Sequence, residues 1–211
     1  DSVAIIGQSG TGKSVLLKHL NGLLMPDSGN VSVDSVLLNN VSYNELQSIR
    51  KKMAMVFQFG ALFDSMTVGE NIGLALQKLT NCDKLEISDR ITISLKEVNM
   101  EGTEEKMPSE LSGGMKKRVG IARAIALNPE YMLYDEPTTG LDPIMTDSIN
   151  RLINNFHEKG KVTSIVVTHE MKTVRDVSNR VLMLHNGRIQ FNGSTDDLLS
   201  SIDPRVVAFL N

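Results

Sequence analysis

The eight residues GQSGTGKS, at positions 7–14, decide the fold prediction. They match the pattern G-x-x-x-x-G-K-[ST] and lie between an apolar run at 3–6 and a helical pattern at 13–20, the context that this motif requires. Glycines let the backbone wrap closely around phosphate oxygens, and N–H groups at a helix start complement the negative charge. We therefore predict a phosphate-binding loop rather than a glycine turn with an exposed lysine. The predicted nucleotide contacts in this loop are Gly7, Gln8, Ser9, Gly10, Thr11, Gly12, Lys13 and Ser14.

The overall composition limits the class of protein. The chain has 211 residues, of which 41% are hydrophobic and 22% charged, as in one globular domain with a real core. A net charge of −3 argues against a nucleic-acid partner, and the single cysteine, Cys82, excludes an internal disulfide framework and a cysteine-rich zinc site. No apolar run reaches the length of a membrane span. The short basic cluster at 116–118 is interpreted as a solvated helix face.

Short apolar runs alternate with longer helical patterns, which predicts an α/β fold with a mostly parallel sheet. Strands are predicted at 3–6, around a turn within 31–38, and at 53–57, 131–134, 163–167, 181–184 and 188–191. Helices are predicted at 13–20, 67–79, 87–98, 113–127, 143–156, 171–177 and 195–200, with a loop at 80–86. Because the stretch from about 60 to 127 is rich in helix, we expect one domain over 1–211, with a core of 1–58 and 128–211 and an inserted helical subdomain over about 59–127.

Carboxylates follow one of the predicted strands. Asp135 and Glu136 come directly after the strand at 131–134, and the carboxyl edge of a parallel sheet faces the crevice where ligands bind. Beside the phosphate-binding loop, where Lys13 reaches the β- and γ-phosphates and the Ser14 hydroxyl ligates Mg²⁺, Asp135 is expected to hold the metal through water. Glu136 can then accept a proton from an attacking water. Simple surface charge is the alternative interpretation.

Two further polar residues follow strands that should end at the same edge. His169 comes after the strand at 163–167, and Gln58 comes after the strand at 53–57. A lone histidine is usually structural, but its place beside a triphosphate site favours a catalytic role. The amide of Gln58 can touch Mg²⁺ or the attacking water, although by itself this residue carries little information. The predicted metal contacts are therefore Ser14, Gln58 and Asp135, and the predicted catalytic residues are Glu136 and His169.

A second glycine-rich turn, LSGGM at 111–115, leads into another predicted helix. Ser112, Gly113 and Gly114 offer a hydroxyl and free N–H groups at a helix start, which suits a γ-phosphate. Because the first loop already surrounds its own nucleotide, the second cradle is useful if it closes over a nucleotide held by another copy. In a two-fold head-to-tail dimer, each copy would contribute this turn to the partner's ATP. A plain glycine helix start is the alternative.

The motifs together resemble the ATP-binding subunits of ABC transporters. GQSGTGKS, FQ at 57–58, LSGGM, YMLYDEP with TTGLDP, and VTHE occur in the order of that family and cover nearly the whole chain. The resemblance implies an ABC-type P-loop NTPase fold that hydrolyses ATP with Mg²⁺. It implies that Glu136 is the general base, that His169 positions the γ-phosphate and water, and that Asp142 lies in the loop that joins the two sites. It also implies that Gln58 senses the metal, while the junction of its loop with the helical subdomain grips a membrane permease.

A narrower resemblance links the chain to the ATPases of Mla/Mce-type phospholipid transport. FQFGALFDSMTVGENIGLAL and MPSELSGGMKKRVGIARAIALNPE carry it, and GALFDSMTV is the most telling part. It implies an MlaE-type permease, an Mce-type lipid-binding protein, no direct contact with lipid, and a place on the inner face of a cell membrane, or the stromal side in a plastid. A transporter for an amino acid or a metal chelate and a soluble non-transport ABC ATPase remain alternatives. A DNA-repair ABC ATPase lacks room here, since those insert long coiled coils between 58 and 111.

One departure from the family pattern concerns the start of the sequence. The family carries an aromatic residue upstream of the phosphate-binding loop that stacks on adenine, and Gly7 stands only six residues after Asp1. We therefore expect missing N-terminal sequence, a truncated antiparallel β-subdomain with an exposed edge, and weaker nucleotide affinity. Base stacking contributes about 1–3 kcal/mol.

Overall fold

A six-stranded sheet organises the part of the chain that the computed structural model describes, residues 1–160 and 162–210. In chain order the strands are β1 (Ser2–Ile6), β2 (Ser32–Val33), β3 (Val36–Leu37), β4 (Met53–Val56), β5 (Tyr131–Asp135), β6 (Thr163–Val167), β7 (Arg180–His185) and β8 (Arg188–Gly193). The order across the main sheet is β4-β5-β6-β1-β7-β8. Neighbours are parallel except for β8, which runs antiparallel to β7. The predicted mostly parallel α/β fold is confirmed.

Helices cover both faces of this sheet. They are α1 (Lys13–Leu20), α2 (Tyr43–Lys51), α3 (Val68–Leu79), α4 (Lys84–Glu97), α5 (Gly113–Ile125), α6 (Pro143–Gly160), α7 (Met171–Val177), α8 (Thr195–Leu199) and α9 (Pro204–Leu210). On one face, Leu17 of α1 packs against Ile5 and Val167. On the other, Ile149 of α6 packs in a cluster with Tyr134. The strands are apolar on both faces because helices bury both of them. None of the helices described combines the length and apolarity needed to cross a bilayer.

The register of the sheet places the ends of four strands at one edge. Ile5 pairs with Val167, which also pairs with Asp135, and Val56 pairs with Tyr134. The parallel strands β4, β5, β6 and β1 therefore end nearly level. The chain segments that leave them emerge side by side, as the sequence predicts.

Several helix boundaries differ from the prediction. The expected loop at 80–86 is wrong in its second half because α4 begins at Lys84, where Asp83 accepts hydrogen bonds from the backbone of Leu85 and Glu86. The helix α2 was not predicted, although Ser42 caps it in the same way. Nor was α9 predicted, and α6 continues to Gly160. The starts of α2 and α4 are set by capping residues, a local signal that apolar periodicity does not contain.

The interpretation of 116–118 as a solvated face is wrong. Lys117 is 5% exposed, and its ammonium donates hydrogen bonds to backbone carbonyls, while the Arg118 guanidinium donates to the carbonyl of Val98 and to the Ser148 hydroxyl. The physical reason is the position of α5, which packs against β4 on one side and against α3 and α4 on the other. Because α5 is enclosed by these elements, the side chains of Lys117 and Arg118 point into the protein and bind backbone carbonyls there.

Between β4 and β5 the described chain is helical, with α3, α4 and α5 and no strand. The division into a core and an inserted helical subdomain stays a prediction. The antiparallel element is small, since β2 and β3 form a separate two-stranded sheet in which Val33 pairs with Val36. Val33 packs with Leu38 and Ile49 in a cluster that also touches Tyr131.

Candidate active site

A cleft of about 640 Å³ opens at the edge where the four parallel strands end. The loop after β1 forms its floor, and single residues that follow β4, β5 and β6 complete its walls. The residues that line it are Gly7, Gln8, Ser9, Gly10, Gly12, Lys13, Ser14, Val15, Gln58, Glu136, His169 and Phe209. The structure thus brings together most of the residues predicted to bind nucleotide. Two of the others contact residues that line the cleft. The Thr11 hydroxyl donates to the Gln8 carbonyl, and the Asp135 carboxylate accepts a hydrogen bond from the Ser14 hydroxyl.

The loop at 7–14 is wrapped around the ammonium of Lys13. This residue is 7% exposed, and its ammonium donates hydrogen bonds to the carbonyls of Gly7 at 2.8 Å and Gln8 at 3.0 Å. Gly7 has φ +150° and lies so close to the Leu184 carbonyl that any Cβ would collide with it. Gly12, at the start of α1, is also left-handed, with φ +96°. The loop therefore forms a backbone cradle with a positive charge inside it.

Oxygen donors meet beside this cradle. The Ser14 hydroxyl donates to Asp135 Oδ1 at 2.8 Å, and the Gln58 side chain lines the same cleft as Ser14. The described residues contain no group of three or more histidine, cysteine or acidic side chains placed to hold a metal. Mg²⁺ is usually held by one or two protein oxygens together with substrate phosphates and waters, so this hydroxyl, carboxylate and amide fit that ion.

Glu136 occupies an unusual backbone conformation directly after β5. Its φ of +51° is left-handed, a conformation that costs about 1–3 kcal/mol in a residue other than glycine and that clusters at functional sites. Its N–H donates to the Val167 carbonyl at 2.9 Å, which continues the sheet pairing for one residue. The strained turn carries the side chain out of the sheet and into the cleft.

The Glu136 carboxylate is held by two partners. Oε2 accepts a hydrogen bond from the Thr139 hydroxyl at 2.8 Å and lies 2.9 Å from Nδ1 of His169. The Glu136 side chain is 13% exposed, whereas that of His169 is 54% exposed. Because an ionised carboxylate only accepts hydrogen bonds, Nδ1 carries the proton and Nε2 of the imidazole is left for a ligand. A carboxylate oriented in this way can accept a proton from a water molecule in the cleft.

The second glycine-rich turn lies away from this cleft. Ser112 and Gly113 are exposed, and the Ser112 hydroxyl caps α5 by accepting a hydrogen bond from the Met115 N–H at 3.3 Å. Gly114 is buried, and any Cβ there would collide with the end of Met145. Met145 belongs to the first turn of α6, which Asp142 caps at 2.9 Å. None of the three predicted residues lines the cleft of its own chain.

Comparison with known sequences decides the family. The sequence profile of ABC transporters matches residues 1–139, the stretch that contains the phosphate-binding loop, the second glycine-rich turn and the carboxylates after β5. The chain belongs to the ABC transporter family.

Relatives within the ABC transporter family carry different names. The chain is 40% identical to TRIGALACTOSYLDIACYLGLYCEROL 3, a chloroplastic protein of Arabidopsis thaliana, over 99% of the chain and 65% of the relative. It is 42% identical to the methionine import ATP-binding protein MetN of Carboxydothermus hydrogenoformans, over 98% and 61%. It is 39% identical to the intermembrane phospholipid transport system ATP-binding protein MlaF of Haemophilus influenzae, over 98% and 78%. The chain thus spans less than two thirds of the first two relatives.

A solved ABC cassette has the same fold. The ATP-binding cassette MJ0796, in a dimeric post-hydrolysis state bound to ADP and Pi, superimposes with a TM-score of 0.85 and 33% identity over 92% of this chain and 85% of that one. This match confirms the ABC-type fold. It also supports the predicted ATP hydrolysis, because ADP and Pi are the products of that reaction.

The residues at or near the site that were not predicted are Val15, Thr139, Lys117 and Phe209. Thr139 lies within TTGLDP, but nothing in the motif says that its hydroxyl reaches the carboxylate of Glu136. Lys117 follows LSGGM and lies in a basic cluster typical of surfaces. Phe209 of α9 lines the cleft from the far end of the sequence, where only the fold brings it close. No local signal identifies the last two.

Proposed function

We propose that the chain is the ATP-binding and ATP-hydrolysing subunit of an ABC transporter, acting as a dimer at the inner face of a membrane beneath a permease. The observation that carries the proposal is the Glu136 carboxylate, held by Thr139 and His169 at the mouth of the cleft that contains the Lys13 ammonium. A phosphate cradle and an oriented base in one cleft are the two parts that hydrolysis of a nucleoside triphosphate requires. Mg²⁺-dependent ATP turnover by the purified protein tests the proposal, and substitutions of Glu136 and Lys13 sharpen that test.

Each side chain of the cleft has a role in this proposal. Lys13 leaves the carbonyls of its own loop and binds the β- and γ-phosphates, while the N–H groups at the start of α1 bind the remaining oxygens. Ser14 would ligate Mg²⁺ directly, Gln58 would offer its amide oxygen, and Asp135 would hold the ion through water. When bound, Mg²⁺ supplies positive charge against the phosphate oxygens. Glu136 takes the proton of the attacking water. With a proton on each ring nitrogen, His169 donates to Glu136 from Nδ1 and to a γ-phosphate oxygen from Nε2, which positions the γ-phosphate.

The ATP site is completed by a second copy in our proposal. Ser112 and Gly113 are exposed at the start of α5, away from their own cleft, and Gly114 is buried next to them. In the proposed dimer, the Ser112 hydroxyl and the N–H groups of this first turn bind a γ-phosphate held by another chain. The dimeric state of the MJ0796 cassette supports this arrangement. ATP then joins the two copies, and hydrolysis lets them separate.

Replacement of Ser112 by phenylalanine should abolish ATP-dependent dimerisation while a single chain still binds ATP normally. The added ring would fill the space that the partner's γ-phosphate needs, whereas Ser112 lies outside the cleft of its own chain. Loss of the helix cap costs only about 1 kcal/mol, so the fold should persist. Size-exclusion chromatography with and without Mg-ATP measures the dimer.

Ser48→Phe, which adds the same bulk on the exposed part of α2, is the matched control and should dimerise. A Ser112→Phe protein that dimerises and hydrolyses ATP at the normal rate would remove Ser112 from the shared site.

The loop that follows Gln58 offers a surface on which a permease can dock. Phe59 and Phe63 are 77% and 53% exposed, although large aromatic side chains usually lie inside a protein. The loop that carries them is nevertheless firmly held. The Arg123 guanidinium of α5 donates to the carbonyls of Gly60 at 2.8 Å and Ala61 at 2.7 Å. Exposed aromatic anchors on a rigid backbone favour protein binding, because little entropy is lost when a partner docks.

Asn71 fixes the other half of this loop, and Asn71→Ala should reduce the free energy of unfolding by about 1–3 kcal/mol. The side chain is 1% exposed, accepts from the Phe63 N–H at 2.7 Å and donates to the carbonyls of Phe63, Met66 and Thr67. Alanine would leave the Phe63 N–H and the Met66 carbonyl without these partners, whereas the carbonyls of Phe63 and Thr67 keep hydrogen bonds from the backbone N–H groups of Met66 and Asn71. Denaturant unfolding followed by circular dichroism measures the change.

The exposed Asn81, changed to alanine, is the control and should have no such effect. Equal stability of the two variants would contradict the role of Asn71 as the anchor of the loop.

For the transported substrate, we propose a phospholipid, moved by an MlaE-type permease with an Mce-type lipid-binding protein. The resemblance over 57–76 supports this subtype, as does the name of MlaF, while the name of the Arabidopsis relative refers to a galactolipid. MetN, named for methionine import, is just as similar. Affinity purification of the full-length protein from its own membranes, followed by mass spectrometry, separates the two. Co-purification of an MlaE-type permease with phospholipid supports the proposal, whereas an amino-acid permease would overturn it.

A further inference from the structure

Lys117 lies in the helix that starts at the second glycine-rich turn, yet its ammonium contacts the chain beside the candidate base. Nζ donates to the carbonyls of Thr139 at 2.8 Å, Pro137 at 2.9 Å and Glu136 at 3.3 Å. An ammonium has three N–H donors, so these acceptors use all of them. Burial lowers the pKa of Lys117, and the nearby carboxylates of Glu170 and Glu136 partly oppose that effect.

The three acceptors belong to a single short segment, the turn between β5 and α6. This segment begins with the strained backbone of Glu136 and includes Thr139, whose hydroxyl donates to the Glu136 carboxylate. The ammonium therefore holds both ends of the contact that orients the base. The same segment continues to Asp142, which caps α6 by accepting a hydrogen bond from the Met145 N–H. The Met145 side chain lies against Gly114, in the first turn of α5.

A buried lysine often satisfies its charge with carbonyls and has no other role. Two features distinguish Lys117 from that ordinary case. Its acceptors are the backbone groups that place Glu136 and Thr139, and its helix α5 is capped by Ser112, the residue assigned above to the partner's ATP. The single helix α5 thus connects the contact with the partner's γ-phosphate, at its start, to the turn that carries Glu136 of its own chain.

We propose that Lys117 is a positioning residue that transmits the position of α5, set by the partner's ATP, to the Glu136 carboxylate of its own chain. The inference rests on the proposed function. When the start of α5 closes over a γ-phosphate, the ammonium carries the 136–139 turn with it and brings the carboxylate into line with the attacking water. A chain whose α5 has no ATP to bind then holds its own base out of position.

The first test compares three variants of the full-length protein. Lys117→Met, which keeps the length of the stem and removes the donors, should lower kcat about 10–100-fold, because small misplacements of a catalytic group have effects of this size. The KM for ATP and the affinity for nucleotide should change little. Lys117→Arg, which restores the charge and the donors, should recover most of kcat, and Lys116→Met, the neighbouring change on the less buried side of α5, should leave it unchanged.

The second test shows which site depends on Lys117. Dimers of two different copies are isolated by placing a different affinity tag on each copy, and the rate of single-turnover hydrolysis of the bound ATP is measured. The reference is a dimer of one unchanged copy and one Glu136→Gln copy, in which only the unchanged copy has a working base. In the first arrangement Lys117→Met is in the copy that keeps Glu136. In the second, Lys117→Met and Glu136→Gln share a copy. Hydrolysis should fall about 10-fold or more only in the first arrangement, since the misplaced carboxylate is the working one there.

The outcomes separate the possible explanations. Equal loss in both arrangements, or loss only in the second, would overturn the inference, as would unchanged kcat in Lys117→Met. Thermal unfolding verifies the fold; if Lys117→Met unfolds, Lys117→Gln, which keeps two donors on a shorter stem, takes its place with the same expected results. If the unchanged protein hydrolyses no ATP at all, the proposed function fails, whereas an active protein that is indifferent to Lys117 contradicts only this inference.

Discussion

Glu136→Gln should eliminate ATP turnover while leaving ATP binding intact, with kcat reduced about 10²–10⁴-fold, the usual contribution of a general base. The amide has nearly the same shape as the carboxylate and can still accept from the Thr139 hydroxyl, so the turn after β5 should keep its conformation. It cannot take a proton from water. ATP would then stay bound, and the ATP-loaded dimer proposed above should accumulate.

Phosphate release measures the loss of ATP turnover, and size-exclusion chromatography in Mg-ATP measures the accumulation of the dimer. Glu101→Gln, an exposed carboxylate in a loop remote in sequence from the cleft residues, is the charge-matched control and should hydrolyse ATP normally. Undiminished turnover in Glu136→Gln would remove this residue from the mechanism. A loss of nucleotide binding in the same variant would instead indicate a structural role for the carboxylate.

Lys13→Ala should weaken nucleotide binding itself. The ammonium is the positive charge inside the cradle, and a hydrogen bond to a charged group contributes about 1.5–3 kcal/mol. Removal of each such bond to phosphate should therefore raise the Kd about 10–150-fold. The variant also leaves the Gly7 carbonyl without the lysine donor, whereas the Gln8 carbonyl keeps its hydrogen bonds from Thr11, so the first part of the empty loop should become less ordered. Turnover should fall with the occupancy of the site.

Titration with a fluorescent ATP analogue measures this affinity. Lys18→Ala, about one and a half turns further along α1 and outside the cleft, is the control for the loss of a lysine from this helix. Wild-type affinity in Lys13→Ala would show that the loop does not bind phosphate through this side chain.

The parts of the cleft that the sequence predicts are those determined by short-range rules. The loop at 7–14 is recognisable because its glycines and lysine have fixed spacing, and the four strands are short apolar runs. One topological rule, that parallel strands end at a common edge, then brings Gln58, Glu136 and His169 together without any knowledge of side-chain contacts. The second glycine-rich turn is recognisable from its own residues, and its role at a partner's ATP stays a prediction.

The parts that could not be predicted depend on tertiary contacts. A basic triplet in a helix is usually solvated, and only the packing of α5 among three other elements makes Lys117 a buried donor. Phe209 reaches the cleft through the course of the last helix, which has weak periodicity over only seven residues. The capping boxes of α2 and α4 are different, because their Ser-x-x-Glu and Asp-x-x-Glu patterns are visible in the sequence and would have located both helix starts.

The hydrogen bonds from Arg123 to the loop after Gln58 couple the position of α5 to the position of that loop. The helix α5 has 13 residues and is therefore about 20 Å long. Near its carboxyl end it is fastened to the loop that carries the exposed aromatic rings, and along its length Gly120 lies so close to Gly60 that a Cβ would come within 3.1 Å of that Cα. Interlocked backbones of this kind cannot slide past each other. In the proposed complex with a permease, a small tilt at the amino end of α5 would therefore move the loop that carries Phe59 and Phe63.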